Sequence, residues 1–249
     1  MNILIFDTET TDIKKPFCYN IGYVIVNTDT WQTILKKEYV IEQVWYNQML
    51  FSTAYYSEKR QLYVGKMRSR QAKLEKFGYA CQAMIRDIKN YDVEIAYAFN
   101  SGFDERVFQF NCDWYKCNNP FENIPIHDIR GYANRYLADM EYLFFCDKHE
   151  LYTDSEKYYQ TSAESYYRYI IDDIEFIEAH TGLDDAIIET EILRCCEVLG
   201  ADITQPMKAV NIERPLTKPL TIIQNKEVVF KTEYNKIRIS KDKTKITLS

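Results

Sequence analysis

The spacing of apolar positions changes along this chain, and the changes mark its elements. Ile3 to Phe6 is an unbroken apolar run, the pattern of a strand covered on both faces. The pattern predicts that it ends in a turn at Asp7-Thr8-Glu9-Thr10-Thr11. Tyr19 to Val26 and Trp31 to Ile41 read as two more strands joined at Asn27-Thr28-Asp29-Thr30, an antiparallel meander. From about Trp45 to Tyr91 the pattern is helical. It is clearest over Arg68 to Asn90, where Leu74, Phe77, Cys81, Met84, Ile85 and Ile88 recur at helical intervals. Glu94 to Phe99 predicts a fourth strand, and Ser101 caps a following helix that holds Glu105, Val107, Phe108 and Phe110. Ile124 to Asp128 is a short fifth strand, and helices follow over Ile129 to Ala138, Ser162 to Ile171 and Leu183 to Leu199. Antiparallel strands followed by strands alternating with helices define an α/β domain over residues 1–200, a mixed sheet flanked by helices. Beyond it, Pro206, Pro215 and Pro219 break any helix. Short strands at Val228 to Phe230, Lys236 to Ile239 and Lys245 to Leu248 make residues 201–249 a small extension of β and irregular structure.

A chain of 249 residues suits one substantial domain with a smaller appendage. No apolar run approaches the length that spans a bilayer, and Asp7 falls too early for a signal peptide. The expected location is therefore cytoplasmic, with no membrane partner. Seven cysteines without framework spacing fit a reducing compartment. The 21 tyrosines read mainly as core and interface packing. A net charge of −6 argues against gripping long duplex DNA by charge, which needs a basic surface. The charge is not uniform, however. Residues 201–249 hold ten Lys or Arg against five Asp or Glu, which marks a separate contact element. Lys59, Arg60, Lys66, Arg68, Arg70, Lys73 and Lys76 face only Glu58 and Glu75, interleaved with Tyr55, Tyr56 and Tyr63. That stretch is the one best suited to nucleic acid, with cations for phosphates and rings for bases; a solvated helix face is the competing reading.

Carboxylates carry the candidate chemistry. In an extended chain Asp7 and Glu9 project to one side. Anions so close repel unless protons or a hard divalent cation neutralise them. A second acidic motif, Asn100-x-x-Phe103-Asp104, stands at a helix mouth after a strand. A third, His180-Thr181-Gly182-Leu183-Asp184-Asp185-Ala186, leads into the last long helix. Each alone has an ordinary explanation, such as a solvated loop or a carboxylate favoured at a helix N-terminus. Their order and shared setting at element ends point to one site.

The three motifs resemble those of the DEDD exonuclease superfamily, ribonuclease-H-like in fold. The match is to its DEDDh branch, which includes the proofreading subunits of bacterial DNA polymerases. The resemblance implies that Asp7, Glu9, Asp104 and Asp185 hold two Mg²⁺ (or Mn²⁺) ions, with Asp7 bridging both. His180, five residues before Asp185, matches the branch's histidine and would be the general base. Adjacent helical residues diverge by about 100°, so one of Asp184 and Asp185 reaches the metals; the branch's spacing favours Asp185. Two cations about 4 Å apart can activate water and stabilise the leaving oxygen. Candidate substrate contacts are Thr8, Thr10, Asn100 and Phe103 beside the motifs, with Tyr55, Tyr56, Lys59 and Arg60 from the basic stretch. The implied activity is 3′–5′ exonucleolysis of single-stranded DNA ends to nucleoside 5′-monophosphates, in replication proofreading or repair. A DNA polymerase or other replication protein is the implied partner. An exoribonuclease of the same branch is the alternative, and a catalytically silent nucleic-acid-binding or polymerase-associated subunit is the alternative from another class.

Cys112-x₄-Cys117 and Cys146-x₂-His149 have spacings that a structural zinc site permits. Against zinc, Cys112 falls inside an expected helix, and cysteine also serves as a small buried apolar residue.

Overall fold

The computed structural model describes residues 1–215 and, beyond them, four strand segments of the C-terminal extension. Strand β1 (Asn2–Thr10) pairs antiparallel with β2 (Cys18–Asn27), which pairs antiparallel with β3 (Gln32–Ile41). Short helices α1 (Glu42–Trp45), α2 (Gln48–Phe51) and α3 (Arg60–Arg68) lead to an edge strand, β4 (Lys73–Glu75), parallel to β3. Helix α4 (Phe77–Asn90) then crosses to β5 (Val93–Ala98), parallel to β1, and α5 (Gly102–Tyr115) to β6 (Ile126–Asp128), parallel to β5. The six-stranded order is β4-β3-β2-β1-β5-β6. Helices α6 (Ile129–Tyr136), α7 (Met140–His149), α8 (Ala163–Ile171) and α9 (Gly182–Val198) follow. The architecture is the mixed sheet flanked by helices that the apolar pattern predicts.

Strand alternation sorts β1 onto two faces. Leu4 and Phe6 join Ile21, Tyr23 and Ile25 in a core under α4 and α5, where Phe77, Cys81, Met84, Val107 and Phe108 are buried. The odd-numbered side of β1, with Ile3, Ile5, Asp7 and Glu9, faces α9, which packs on β1 and β2. A second core joins Tyr19 and Val40 to Val44, Trp45, Phe51 and Tyr63, fastening α1 to α3 over one end of the meander.

Two local readings change. Residues 7–10 are strand, not turn, because β2 continues its antiparallel pairing as far as Cys18 opposite Thr10. The helix expected from Arg68 begins at Phe77. Arg70 takes φ +62°, and Lys73–Glu75 completes the open edge of β3 opposite Tyr39–Ile41. Leu74 and Phe77 thus belong to different cores despite their helical spacing. Ser101 makes no capping bond, its hydroxyl donating instead to Glu105 at 3.2 Å. Helix α7 was not expected; Asp139 Oδ1 accepts from the backbone N–H groups of Glu141 and Tyr142 at 3.0 Å and starts it.

The chain divides into two compact units, Met1–Tyr142 with Thr161–Val210, and Leu143–Gln160 with Asn211–Ser249. In the first, Ile203 and Ala201 are buried, and the Ile203 carbonyl accepts from the Tyr97 hydroxyl at 2.6 Å. In the second, Tyr152 bridges Tyr159 and Tyr158 bridges Glu213. The extension contributes β7 (Leu220–Gln224) paired antiparallel with β8 (Glu227–Thr232), and β9 (Ile237–Ile239) paired antiparallel with β10 (Ile246–Leu248). Lys236 and Lys245, expected to open the last strands, lie outside the described residues. Among the described residues no helix is long and apolar enough to cross a membrane.

Candidate active site

β1 outruns its parallel neighbour. Its pairing with β5 ends at Ile5 opposite Tyr97, while pairing with β2 continues to Thr10. The strand edge freed beyond Ile5 is taken by a side chain: Asp104, buried in the first turn of α5, accepts from Thr8 N at 3.1 Å and Thr8 Oγ1 at 2.6 Å. Asp104 is thereby held beside the strand segment that carries Asp7 and Glu9.

On the other face, α9 approaches the sheet through two glycines. A Cβ on Gly22, which pairs with Asp7, would lie 1.9 Å from Leu183 N. A Cβ on Gly182 would lie 2.5 Å from Gly22 N and 2.8 Å from the Asp7 carbonyl oxygen. Asn20 pins the contact, its Oδ1 accepting from Gly182 N at 2.7 Å. This backbone approach brings Asp185 over β1. Ligand atoms of Glu9, His180 and Asp185 lie within 4.8 Å of one another.

The carboxyl groups raise one another's pKa. Burial, then the charge of Asp104, pushes Asp7 well above the usual carboxylate range. Burial and Asp7 do the same to Glu9, opposed by Lys59 and a hydrogen bond from Tyr19. Burial raises Asp104 to about 7 against the two bonds from Thr8. Asp185 is pushed up to about 10 by burial and by Asp7, Glu178 and Glu9. Its Oδ1 is buried without a hydrogen-bond partner.

Asp184 is turned away. It pairs with Lys66 at 2.8 Å and accepts from Thr181 Oγ1 at 2.8 Å; the same Lys66 ammonium pairs with buried Glu38 at 2.9 Å. Of the adjacent aspartates, Asp185 is the one among the other acids.

His180 has φ +51°, a left-handed conformation unusual for a residue with a Cβ. Its ring stacks on Tyr56 at 4.1 Å, with the Tyr56 hydroxyl 3.1 Å from Nε2 and Glu178 Oε2 3.7 Å from Nδ1. Lys59 donates to the carbonyl of Ala179 at 2.5 Å and lies over the Tyr56 ring. Burial and Lys59 lower the His180 pKa, so the neutral imidazole prevails at neutral pH.

Thr8, Thr10, Tyr55, Tyr56 and Phe103 line a cleft of about 650 Å³ that includes Glu9. Lys59, Arg60 and Asn100 are not among the residues that line this cleft. Arg60 lies over the Trp45 ring at 4.2 Å and donates to the Trp45 carbonyl, and Asn100 is exposed, its N–H bonded to Asp128. Tyr63 and Lys66, read as nucleic-acid-facing, are buried. Cys112 and Cys117 converge with Cys81 of α4, while Cys146 and His149 lie on α7. Two acids escaped the sequence reading. Glu189, buried one turn beyond Asp185, accepts from Phe99 N at 3.2 Å and is raised by burial and by Asp7 and Asp104. Glu178, raised to about 7 by burial and Asp7, precedes His180 by two residues. Glu189 follows Asp185 at i+4 on one helix face, a spacing that could have pointed to it.

A mixed sheet of this order, flanked by helices, is a ribonuclease-H-like fold. Three solved structures share it. The nuclease domain of 3′hExo, a DEDDh family member, bound to rAMP, is 13% identical over 80% of this chain and 92% of its own, with TM-score 0.51. A full-length 3′-exonuclease is 14% identical over 86% of this chain and 71% of its own, with TM-score 0.53. A 3′-exonuclease in 3′-end specific recognition of histone mRNA stem-loop is 12% identical over 86% and 74%, with TM-score 0.50. At these identities the likeness is one of fold. No protein-family model and no curated protein matches the chain.

Proposed function

We propose that this chain is a divalent-metal-dependent 3′–5′ exonuclease of the DEDDh type. The observation that carries the reading is the convergence of Asp7, Glu9, Asp104 and Asp185, from one strand and two helices, beside His180. An unpartnered, buried Asp185 oxygen among mutually repelling carboxyls fits hard, oxygen-preferring cations such as Mg²⁺ or Mn²⁺. Asp7, Glu9 and Asp185 would hold such ions directly, with Asp104 completing the set. Bound there, divalent cations supply a more acidic water and a counter-charge for the leaving oxygen.

The remaining work falls to the protein. Neutral His180 takes the proton from the attacking water, its lowered pKa keeping the imidazole unprotonated at neutral pH. The Tyr56 hydroxyl holds Nε2 until substrate and water displace it, and the Tyr56 ring keeps the imidazole in register. Thr8 keeps Asp104 oriented through both of its hydrogen bonds. The cleft beside Glu9 receives the terminal nucleotide, with Tyr55 and Phe103 offering faces to unstacked bases. Water adds to phosphorus, the bond to the 3′ oxygen of the preceding nucleotide breaks, and a nucleoside 5′-monophosphate leaves.

Single-stranded DNA is the proposed polymer, in replication proofreading or repair. The exoribonuclease reading has its own support, since similar folds bind rAMP and a histone mRNA stem-loop. Digestion of matched 5′-labelled and 3′-labelled DNA and RNA single strands with Mg²⁺ separates the two. Shortening from the 3′ end with loss of activity in EDTA is the expected result. Full activity in EDTA, or no degradation of either polymer, would falsify the nuclease reading.

A further inference from the structure

Away from the carboxylates, Cys81, Cys112 and Cys117 form a cluster of three thiols whose sulfurs lie within 4.8 Å of one another. They come from separate places: the middle of α4, the last turns of α5, and the loop beyond it. The chain is shaped to bring the third sulfur in. Lys116 takes φ +55° at the end of α5, and Cys117 N then bonds back to the Cys112 carbonyl at 3.1 Å. Residue 78 is glycine where a Cβ would stand 3.3 Å from the Cys117 Cβ, so α4 leaves room for Cys117 beside Cys81. Cys81 and Cys112 are buried, whereas Cys117 is half-buried and gives the cluster a side open to solvent.

We propose that Cys81, Cys112 and Cys117 form a binding site for a thiophilic cation of the Zn²⁺ class, structurally separate from the carboxylate site. Tetrahedral zinc with Zn–S bonds of about 2.3 Å needs sulfurs about 3.8 Å apart, so this trio closes on an ion by moving about 1 Å. Soft thiolate donors select Zn²⁺ over Mg²⁺, which prefers oxygen, so the two sites do not compete for one metal. On binding, three S–H bonds give way to three S–Zn bonds and three protons leave to solvent; the fourth position, on the Cys117 side, takes water. The ion would tie α4 to the end of α5. The cysteine that completes the site is Cys81, with neither Cys146 nor His149 required. This inference does not depend on nuclease activity.

The test is Co²⁺ titration of the full chain, reduced and purified without chelator, with Mg²⁺ in excess to occupy carboxylates. The expected result is a near-ultraviolet thiolate-to-cobalt charge-transfer band that saturates at about one equivalent and is displaced by Zn²⁺. Cys117→Ser should lose the band and Cys195→Ser should keep it. Should C117S fail to fold, alkylation of the native chain with and without Zn²⁺ reads the same site: protection of half-buried Cys117, with half-buried Cys195 still alkylated, supports it. No band in the native chain, a band unchanged in C117S, or thiols equally alkylated with Zn²⁺ present would each overturn the assignment.

Discussion

Successive helical residues diverge by about 100°, and at the start of α9 that rotation sends Asp184 to Lys66 and Asp185 to Glu9 and His180. The two should therefore answer substitution differently. Asp184→Asn is expected to keep activity within about threefold, since Lys66 retains Glu38. Asp185→Asn should abolish hydrolysis in a single-turnover assay; the reverse pattern would sink the assignment. His180→Ala should lose on the order of 10²-fold, the usual worth of a general base. Stability without metal follows from the raised carboxyl pKa values. Unfolded carboxyls titrate at about 4. Above that, and up to about 7 for Asp104 and about 10 for Asp185, the folded chain binds more protons than the unfolded one. Stability must therefore fall as pH rises through this window. The melting midpoint in EDTA should be lower at about pH 8.5 than at about pH 5.5, with Asp185→Asn flattening the slope. A metal-free midpoint that climbs with pH would contradict the electrostatics.

At the scale of elements, the site depends on how closely α9 can lie on β1 and β2. Gly22 and Gly182 meet backbone to backbone, and Lys66 adds a buried tie from α3 to Glu38 of β3 and to Thr181 ahead of α9. Gly182→Ala has no soft neighbour to displace, so the helix itself must move off the strand. We expect a loss of about 1–3 kcal/mol in stability from overpacking, and at least about tenfold in turnover as Asp185 shifts. Denaturant melts and kinetics on one preparation would read both. Unchanged turnover would mean that the approach of α9 does not position the acid. The meander, β5, α5 and α9 were all legible from apolar period. β4 was not, because three residues that merely complete a sheet edge leave no period of their own. Nor was the continuation of β1 through Thr10, where strand geometry is imposed by pairing with β2 on a polar segment.

Across the molecule, charge is divided between an acidic body and a basic end. Residues 216–249 carry eight Lys or Arg against three Asp or Glu. If that end supplies phosphate contacts, a chain stopped after Pro215 should bind a long single strand more weakly and with a shallower salt dependence. Its hydrolysis of a dinucleotide should be unchanged. Equal loss on both substrates would instead mean that the extension supports folding. Stopping at residue 200 would be a poor test, because Ala201 and Ile203 are buried in the first unit and Ile203 holds the Tyr97 hydroxyl. The tyrosine excess is largely explained by packing: Tyr19, Tyr23, Tyr97 and Tyr166 are fully buried, and Tyr23 donates to Asp87 at 2.6 Å.

What the amino-acid order determined by itself was local: apolar periods that set most strands and helices, and the acids placed at element ends. Asp7, Glu9, Asp104, His180 and Asp185 were legible because each stands next to such an element and their order is itself a pattern. Only the tertiary structure could decide what meets what. It set Asp185 rather than its neighbour among the acids, brought Glu178 and Glu189 in beside them, drew Arg60, Tyr63 and Lys66 into packing and ion pairs, and gathered Cys81 with Cys112 and Cys117. The reason is physical. Periodicity reports the face on which a side chain lies, whereas its partner across the fold is set by helix approach distances and by charges that burial makes strong. In this chain those distances rest on Gly22 and Gly182, which lie 160 residues apart in the sequence.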